Sequence, residues 1–408
     1  MRATVIGLGK LGLPFAALIA RAGHRVVGLD LNRARLQGIE AFEIESEPQV
    51  FELVKSELNH NLSVTSDWNL ALSNSEISFI IVPTPSGADG QFKNDFVSEA
   101  ICQILESIKT PNHIICVVST VMPGTCEKVF MPIIQNHVNS RDLNIQLAYS
   151  PEFIALGTIV KNMETPDLIL IGEKQRWVGD KLVELLSSVS KNSPKICRMS
   201  LGSAELAKIS INTFVTSKIS YANMIAEIAD SVEGINKFDV LEAVGSDSRV
   251  GGKYLKPGLG FGGPCFPRDN RALGALANSL GINAELAEAT EKVNLRQPHI
   301  QVEKIINKIG KKSKKVLFLG LSYKPGSYVI EESQALMIAT LLASKSHIVH
   351  VHDPLAVLSS QLLSETGLLQ VDKIDVTDTY QYVVLAVDWP EYEFIKSTVE
   401  GERLLQIF

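Results

Sequence analysis

Met1-Arg2-Ala3-Thr4-Val5-Ile6-Gly7-Leu8-Gly9-Lys10-Leu11-Gly12 opens the chain, and its reading decides the fold. Ala3–Ile6 is a short apolar run of the kind that forms a buried strand. Gly7, Gly9 and Gly12 make a G-x-G-x-x-G turn, and Leu13–Ala22 reads as the helix after it, with Gly23 at the C-cap. Such a turn aims backbone N–H groups at a pyrophosphate on the helix N-terminus. Asp30 ends the next strand, at the spacing of an acid that binds an adenosine ribose. It would accept from the 2′-OH and repel a 2′-phosphate, which favours NAD over NADP. Arg33 and Arg35 follow; they read either as partners for a 2′-phosphate or as solvated charges at a helix start.

Outward from this turn, apolar strands alternate with helical stretches: Arg25–Leu29, Ile77–Val82, Ile114–Val118, Gln146–Ala148 and Asp167–Ile171. That alternation predicts a parallel sheet with crossover helices. From Leu201 the strands stop. Ser203 is the expected N-cap of a helix of about 30 residues, because glycine first reappears at Gly234 and no proline follows until Pro257. After the basic linker Gly310–Lys314, Val316–Leu319, His347–Val351 and Tyr382–Val387 restore the alternation. The expected class is α/β: two Rossmann-like α/β domains, 1–198 and 312–408, joined through a long central helix in a helical domain, 199–300.

The 408 residues are 45% hydrophobic and 21% charged, an ordinary globular composition. Net charge is −6, from 39 Lys+Arg against 45 Asp+Glu, which argues against a nucleic-acid partner. The apolar runs are too short to span a membrane, and the opening residues read as a strand rather than a signal peptide. Five cysteines without a C-x-x-C pair point to neither a disulfide framework nor a metal site. A reducing compartment, the cytoplasm, is the expected location.

Val82-Pro83-Thr84-Pro85 and Val118-Ser119-Thr120-Val121-Met122-Pro123-Gly124-Thr125 both follow strands, where open α/β sheets bind ligands. The most informative stretch is Tyr254-Leu255-Lys256-Pro257-Gly258-Leu259-Gly260-Phe261-Gly262-Gly263-Pro264-Cys265-Phe266-Pro267-Arg268-Asp269. Four glycines let the backbone wrap a ligand closely. Cys265 ends the loop beside Arg268, a neighbour that favours thiolate. The other four cysteines read as buried, inert residues. A thiolate together with NAD suggests aldehyde oxidation through a thiohemiacetal and a thioester. Lys208 and Asn212 share a helix face and suit a developing oxyanion.

These pieces resemble the UDP-glucose/GDP-mannose dehydrogenase family over essentially the whole chain. The matching motifs are G-L-G-K-L-G-L-P, V-P-T-P, S-T-V-M-P-G-T, S-P-E-F, A-E-L-A-K-I-S-I-N-T-F, P-G-L-G-F-G-G-P-C-F-P-R-D and G-L-S-Y-K-P-G. The resemblance implies oxidation of a nucleotide-sugar C6 alcohol to a carboxylate with two NAD per sugar. It also implies a homodimer built on the central helix and a C-terminal domain for the nucleotide sugar. Cys265 would capture the aldehyde, Lys208 and Asn212 stabilise its oxygen, and Asp269 move a proton through a water. Glu152 would assist hydrolysis, and Thr120 would hold the water. Gly7, Gly9, Lys10, Leu11, Gly12, Asp30, Arg35, Pro83, Thr84 and Thr120 would hold NAD. Phe153, Lys208, Asn212, Tyr254, Gly260 and Lys324 would hold the substrate, and Arg249 would reach the partner subunit's site.

The chain departs from the family pattern at four places. Leu156 stands where the family has a glutamate, Met224 follows Asn223, Arg268 replaces a lysine, and Glu331 reverses the charge of a ligand-holding arginine. UDP-glucose is the leading substrate; UDP-N-acetylhexosamine, GDP-mannose or another nucleotide hexose would undergo the same chemistry. A two-electron 3-hydroxyacid dehydrogenase leaves Cys265 and the third block without a use. A non-catalytic nucleotide-sugar binder leaves the retained Cys265, Lys208, Asn212, Asp269 and Glu152 unexplained.

Overall fold

Apolar runs bounded by turn residues become the strands in a computed structural model that describes residues 1–44, 48–138, 143–375, 379–399 and 401–408. The chain divides into two units, Met1–Ile209 and Ser210–Phe408. The first carries β1 (Arg2–Ile6), β2 (Arg25–Leu29), β3 (Leu62–Thr65), β4 (Ile77–Ile80), β5 (Asn112–Val117), β6 (Asn144–Tyr149), β7 (Leu168–Gly172) and β8 (Lys195–Met199). They form one sheet in the order β3-β2-β1-β4-β5-β6-β7-β8. Every pairing is parallel except β6 with β7, which meet antiparallel at Tyr149 and Gly172. Ala3 pairs Val26 on one side and Ile77 on the other, so β1 is central.

Both faces of this sheet are covered, which is why β4 reads Ile-Ser-Phe-Ile without an exposed position. Val5, Phe79 and Phe15 pack on one face; Ile6, Ile80 and Val117 pack on the other. Strand order reverses between β1 and β4, and the loops after these strands meet at the switch point.

The second unit carries β9 (Lys315–Leu319), β10 (Ile348–His352), β11 (Leu369–Gln370), β12 (Tyr382–Leu385) and β13 (Leu404–Gln406). This sheet is parallel throughout, in the order β11-β10-β9-β12-β13. Its core includes Phe318, Leu319, Ile338 and Val384, with Val302, Ile305 and Ile309 from the helix Glu285–Ile309. That helix runs through the buried Pro298, a residue that by type breaks helices.

The expected α/β class, second sheet and long helix are all present. The long helix is Leu201–Asp230, 30 residues. Its start differs from expectation. Ser203 lies inside the helix, and its N–H donates to Ser200 Oγ at 3.3 Å, so Ser200 is the capping side chain. Among the described residues no helix is long and apolar enough to cross a membrane.

Candidate active site

The glycine turn after β1 is built by exclusion. A Cβ on Gly7 would lie 2.3 Å from the Ile81 carbonyl oxygen, and one on Gly12 would lie 1.8 Å from the Gly7 carbonyl oxygen. Gly7 also takes φ +90°, where only glycine is unstrained. Gly9 has nothing within 4 Å of its Cβ direction, leaving open space above the turn. The helix that follows, Gly12–Arg21, begins at Leu11 without a side-chain cap, so its N-terminus suits an anion. Lys10 beside it is exposed.

Asp30 Oδ2 accepts from Leu8 N at 2.8 Å, and its Oδ1 accepts from Asn32 N at 2.8 Å. Two donors leave this carboxylate room for a ribose hydroxyl. Arg35 Nη1 donates to Leu8 O at 3.2 Å, which ties the guanidinium to the same turn. Arg33 is exposed. The cradle, the open space at Gly9 and the half-used acid fit a dinucleotide.

The loops after β4 and β5 are stapled together. Ser119 Oγ donates to Val82 O at 2.7 Å and accepts from Val82 N at 3.0 Å. Thr84 Oγ1 donates to Thr120 O at 2.7 Å. Pro83 is exposed and Thr84 is buried. After β6, Lys208 Nζ donates to Glu152 O at 2.7 Å and stands 4.4 Å from the Phe153 ring centre. Burial pushes the Glu152 carboxyl up to about 7, with the Lys208 ammonium pulling it back. Leu156 packs against the apolar core instead of presenting a carboxylate.

In the second unit, Cys265 is exposed and occupies the N-cap of the helix Phe266–Ser279. The partial positive charge of that helix end therefore lies beside this residue. Asp269 N donates to Cys265 O at 2.9 Å. The Asp269 side chain is 1% exposed, and its Oδ2 accepts from Asn212 Nδ2 at 2.6 Å. Its Oδ1 lacks a hydrogen bond, with Arg268 Nε 3.5 Å away. On the long helix, Lys208 holds a loop carbonyl, Glu152 O, and Asn212 holds the Asp269 carboxylate in the helix Phe266–Ser279.

The glycines before Cys265 lie against their surroundings as closely as those after β1. A Cβ on Gly260 would meet Asn294 Oδ1 at 2.2 Å, and one on Gly262 would meet Glu332 O at 2.4 Å. Gly263 N donates to Glu331 O at 3.1 Å. Tyr254, at φ +63°, packs edge-on to Phe266 with ring centres 6.3 Å apart. It lines a cleft of about 440 Å³ with Lys256, Leu259, Gly260 and Phe408. Lys324 Nζ stands 5.8 Å from the Tyr323 ring centre. Arg249 pairs with Asp247 at 2.7 Å, its side chain 87% exposed.

Sequence reading gave no loop-holding role to two side chains that shape these loops. Asn223 Oδ1 accepts from Gly258 N at 2.9 Å, and Asn223 Nδ2 donates to Leu259 O at 3.2 Å. Glu205 accepts from Gly124 N at 2.5 Å and from Cys126 N at 2.7 Å. Their spacing was the available signal. Glu205, Lys208, Asn212, Thr216, Ser220 and Asn223 recur every three or four residues, and all are buried. The expectation of four buried cysteines holds for Cys116 and Cys126 and fails for Cys197, which is half-buried, and for Cys102, which is exposed. It falls off the apolar stripe Val97, Ile101, Ile104 and Leu105 of its helix.

The chain matches the family model of the UDP-glucose/GDP-mannose dehydrogenase family in three parts: the NAD binding domain over 1–190, the central domain over 202–296 and the UDP binding domain over 317–405. It is 30% identical over 416 residues to a UDP-glucose 6-dehydrogenase of Haloferax volcanii, covering 99% of this chain and 95% of that one. It is also 30% identical over 427 residues to a GDP-mannose 6-dehydrogenase of Azotobacter vinelandii, covering 100% and 96%. Among solved structures, a UDP-glucose dehydrogenase of Pyrobaculum islandicum aligns with TM-score 0.88 at 30% identity, covering 100% of this chain and 94% of that one.

Removing the Asp30 carboxylate should erode the preference for NAD. In Asp30→Ala the ratio of kcat/KM for NAD to that for NADP should fall by about tenfold or more, since a hydrogen bond to a charged group is worth about 1.5–3 kcal/mol. An unchanged ratio takes the role away from Asp30.

Proposed function

As the chain belongs to the UDP-glucose/GDP-mannose dehydrogenase family, whose members are NAD-dependent nucleotide-sugar 6-dehydrogenases, we propose that it oxidises UDP-glucose to UDP-glucuronate through Cys265. The observation that carries this reading is Cys265 itself. It is an exposed thiol at a helix N-terminus, one turn before an Asp269 held by Asn212. NAD, held by Gly7, Gly9, Lys10, Leu11, Gly12, Asp30, Arg35, Pro83, Thr84 and Thr120, supplies the hydride acceptor, twice per sugar. The overall change converts a CH₂OH, two NAD⁺ and a water into a carboxylate, two NADH and three protons.

The chain's own residues handle oxygen, sulfur and protons. Lys208 and Asn212 donate to the C6 oxygen as it gains negative charge. Asp269 takes the hydroxyl proton through a water. Cys265 Sγ then bonds to the aldehyde carbon as a thiohemiacetal, and the second oxidation leaves a thioester. Water, held by Thr120 and deprotonated by Glu152, adds to the acyl carbon. The C–S bond breaks and Cys265 leaves as thiolate. Tyr254 and Gly260 receive the nucleotide at their cleft, Lys324 faces its phosphates, and Phe153 borders the sugar. A reduced nucleophile places the enzyme in the cytoplasm.

We also assign a homodimer to the long helix. That helix buries a polar row, Glu205, Lys208, Asn212, Thr216, Ser220 and Asn223, and exposes Leu206, Phe214, Tyr221, Met224 and Ile228. Phe214, Tyr221 and Ile228, seven residues apart, are 65%, 43% and 54% exposed. An apolar stripe of this length on one helix is what a second copy of the same helix covers. Arg249, extended into solvent, reaches the partner subunit's site.

Four measurements test the reading. NADH formed per sugar consumed, across UDP- and GDP-hexoses including UDP-N-acetylhexosamines, should reach two on UDP-glucose; one per sugar would reduce Cys265 to packing. Cys265→Ser should stall at the aldehyde stage, and full conversion to acid by that variant removes the thioester route. With the Glu152 carboxyl at about 7, its ionised form grows as pH rises, so the hydrolytic rate should climb between about pH 6 and 8. Glu152→Gln should be slow and flat over that range; an unaltered profile assigns the base elsewhere. Sedimentation should give twice the 44.6 kDa chain mass, and Phe214→Asp should return it to one. A wild-type monomer rejects the dimer.

A further inference from the structure

We propose that Glu205 is a positioning residue for the hydrolytic half-reaction, holding from the long helix the loop that presents Thr120. The proposal rests on the reading of Thr120 as the residue that holds the hydrolytic water. Glu205 is 0% exposed. Its carboxylate accepts from Gly124 N at 2.5 Å, from Cys126 N at 2.7 Å, and from the Cys126 thiol. These donors stand where the loop after β5 enters the π-helical turn Cys126–Phe130, which has no side-chain cap of its own. Glu205 caps that turn from another element, and a carboxylate is the group that a helical N-terminus favours. Burial holds the Glu205 carboxyl above the usual carboxylate range, with Glu127 adding to the rise and the bonds from Cys126 and Gly124 offsetting part of it.

The other end of the loop is held separately, by Ser119 on Val82 and Thr84 on Thr120. Thr120 therefore sits in a segment pinned on both sides. One turn past Glu205, Lys208 holds the Glu152 carbonyl. The same two turns of helix thus set the register between the Thr120 loop and the Glu152 loop, the two loops assigned to the hydrolytic water. Misplacement by about 1 Å costs a reaction up to about a hundredfold.

The test is Glu205→Gln, which keeps size and turns an N–H₂ toward the backbone donors. Both oxidations precede hydrolysis, so the pre-steady-state burst of two NADH per site should persist. Steady-state turnover should fall about ten- to hundredfold, with an acyl adduct on Cys265 visible by intact mass. Hydroxylamine, which attacks thioesters directly, should restore release. A burst that falls in step with turnover, or turnover that does not fall, overturns the proposal. If the glutamine variant does not fold, Cys126→Ala removes one donor and should lower turnover about two- to fivefold with the burst intact; unaltered turnover there overturns it. Wild-type protein that forms no Cys265 adduct with any nucleotide sugar overturns the underlying reading instead, and the inference falls with it.

Discussion

No side chain fits between Gly12 and the carbonyl of Gly7, because a Cβ there would stand 1.8 Å from that oxygen. The turn from β1 into its helix depends on this contact. Gly7 N donates to Leu29 O at 2.8 Å, which joins the turn to the end of β2, and Leu8 N reaches the Asp30 carboxylate. The Ile81 carbonyl closes on Gly7 from the β4 side. Three strand ends converge on one glycine pair, and the dinucleotide cradle is what they leave open. The second sheet repeats the frame. Gly320, at φ +93°, donates to His352 O at 2.8 Å and lies against Val387 as Gly7 lies against Ile81. Asp353 follows β10 as Asp30 follows β2. Its carboxylate, however, accepts from Leu321, Ser322, Leu355 and Ala356 N–H groups. Four donors saturate it, whereas Asp30 has two. One frame yields a ligand site in the first unit and a structural knot in the second.

The long helix is inverted relative to an ordinary surface helix. Burying polar groups is costly unless each is bonded, and along this helix each is. Glu205 holds Gly124 and Cys126, Lys208 holds Glu152, and Asn212 holds Asp269. Further on, Ser220 donates to Thr290 O at 2.9 Å, and Asn223 holds Gly258 and Leu259. Within the first unit the helix start holds the loops after β5 and β6, and within the second its remainder holds the Phe266–Ser279 and Glu285–Ile309 helices and the glycine loop before Cys265. Met224, the departure beside Asn223, joins the exposed apolar side.

Glu331, where the resemblance implies an arginine, contributes little to the fold through its side chain. Glu331 is exposed, and its structural contribution is a backbone carbonyl that accepts from Gly263 N. The neighbouring Glu332, at φ +52°, is the carboxylate that is used. It takes both Arg271 guanidinium nitrogens, at 2.8 and 3.2 Å. Arg271 also pairs with Glu291 at 2.9 Å, so the Phe266–Ser279 helix is tied to two other segments two residues beyond Asp269. An exposed carboxylate at residue 331 would act on an approaching anion through its field.

Much of the molecule was legible as sequence because it follows from local rules. Strand position came from apolar runs, the cradle from glycine spacing, and the 30-residue helix from the absence of breakers. The error at its start, Ser203 for Ser200, was a local rule applied one turn late. Cys102 was misplaced because burial depends on which face of a helix meets the sheet, and that needs the fold. What the tertiary structure alone decided are the partnerships across long separations. Glu205 meets residues some 80 positions earlier in the chain, and nothing near it in sequence marks them. Asp30 and Asp353 occupy like positions after like strands, yet one keeps lone pairs to spare and the other does not. A residue's type and spacing state what it can bond to. Which groups arrive within 3 Å of it depends on the path of the whole chain.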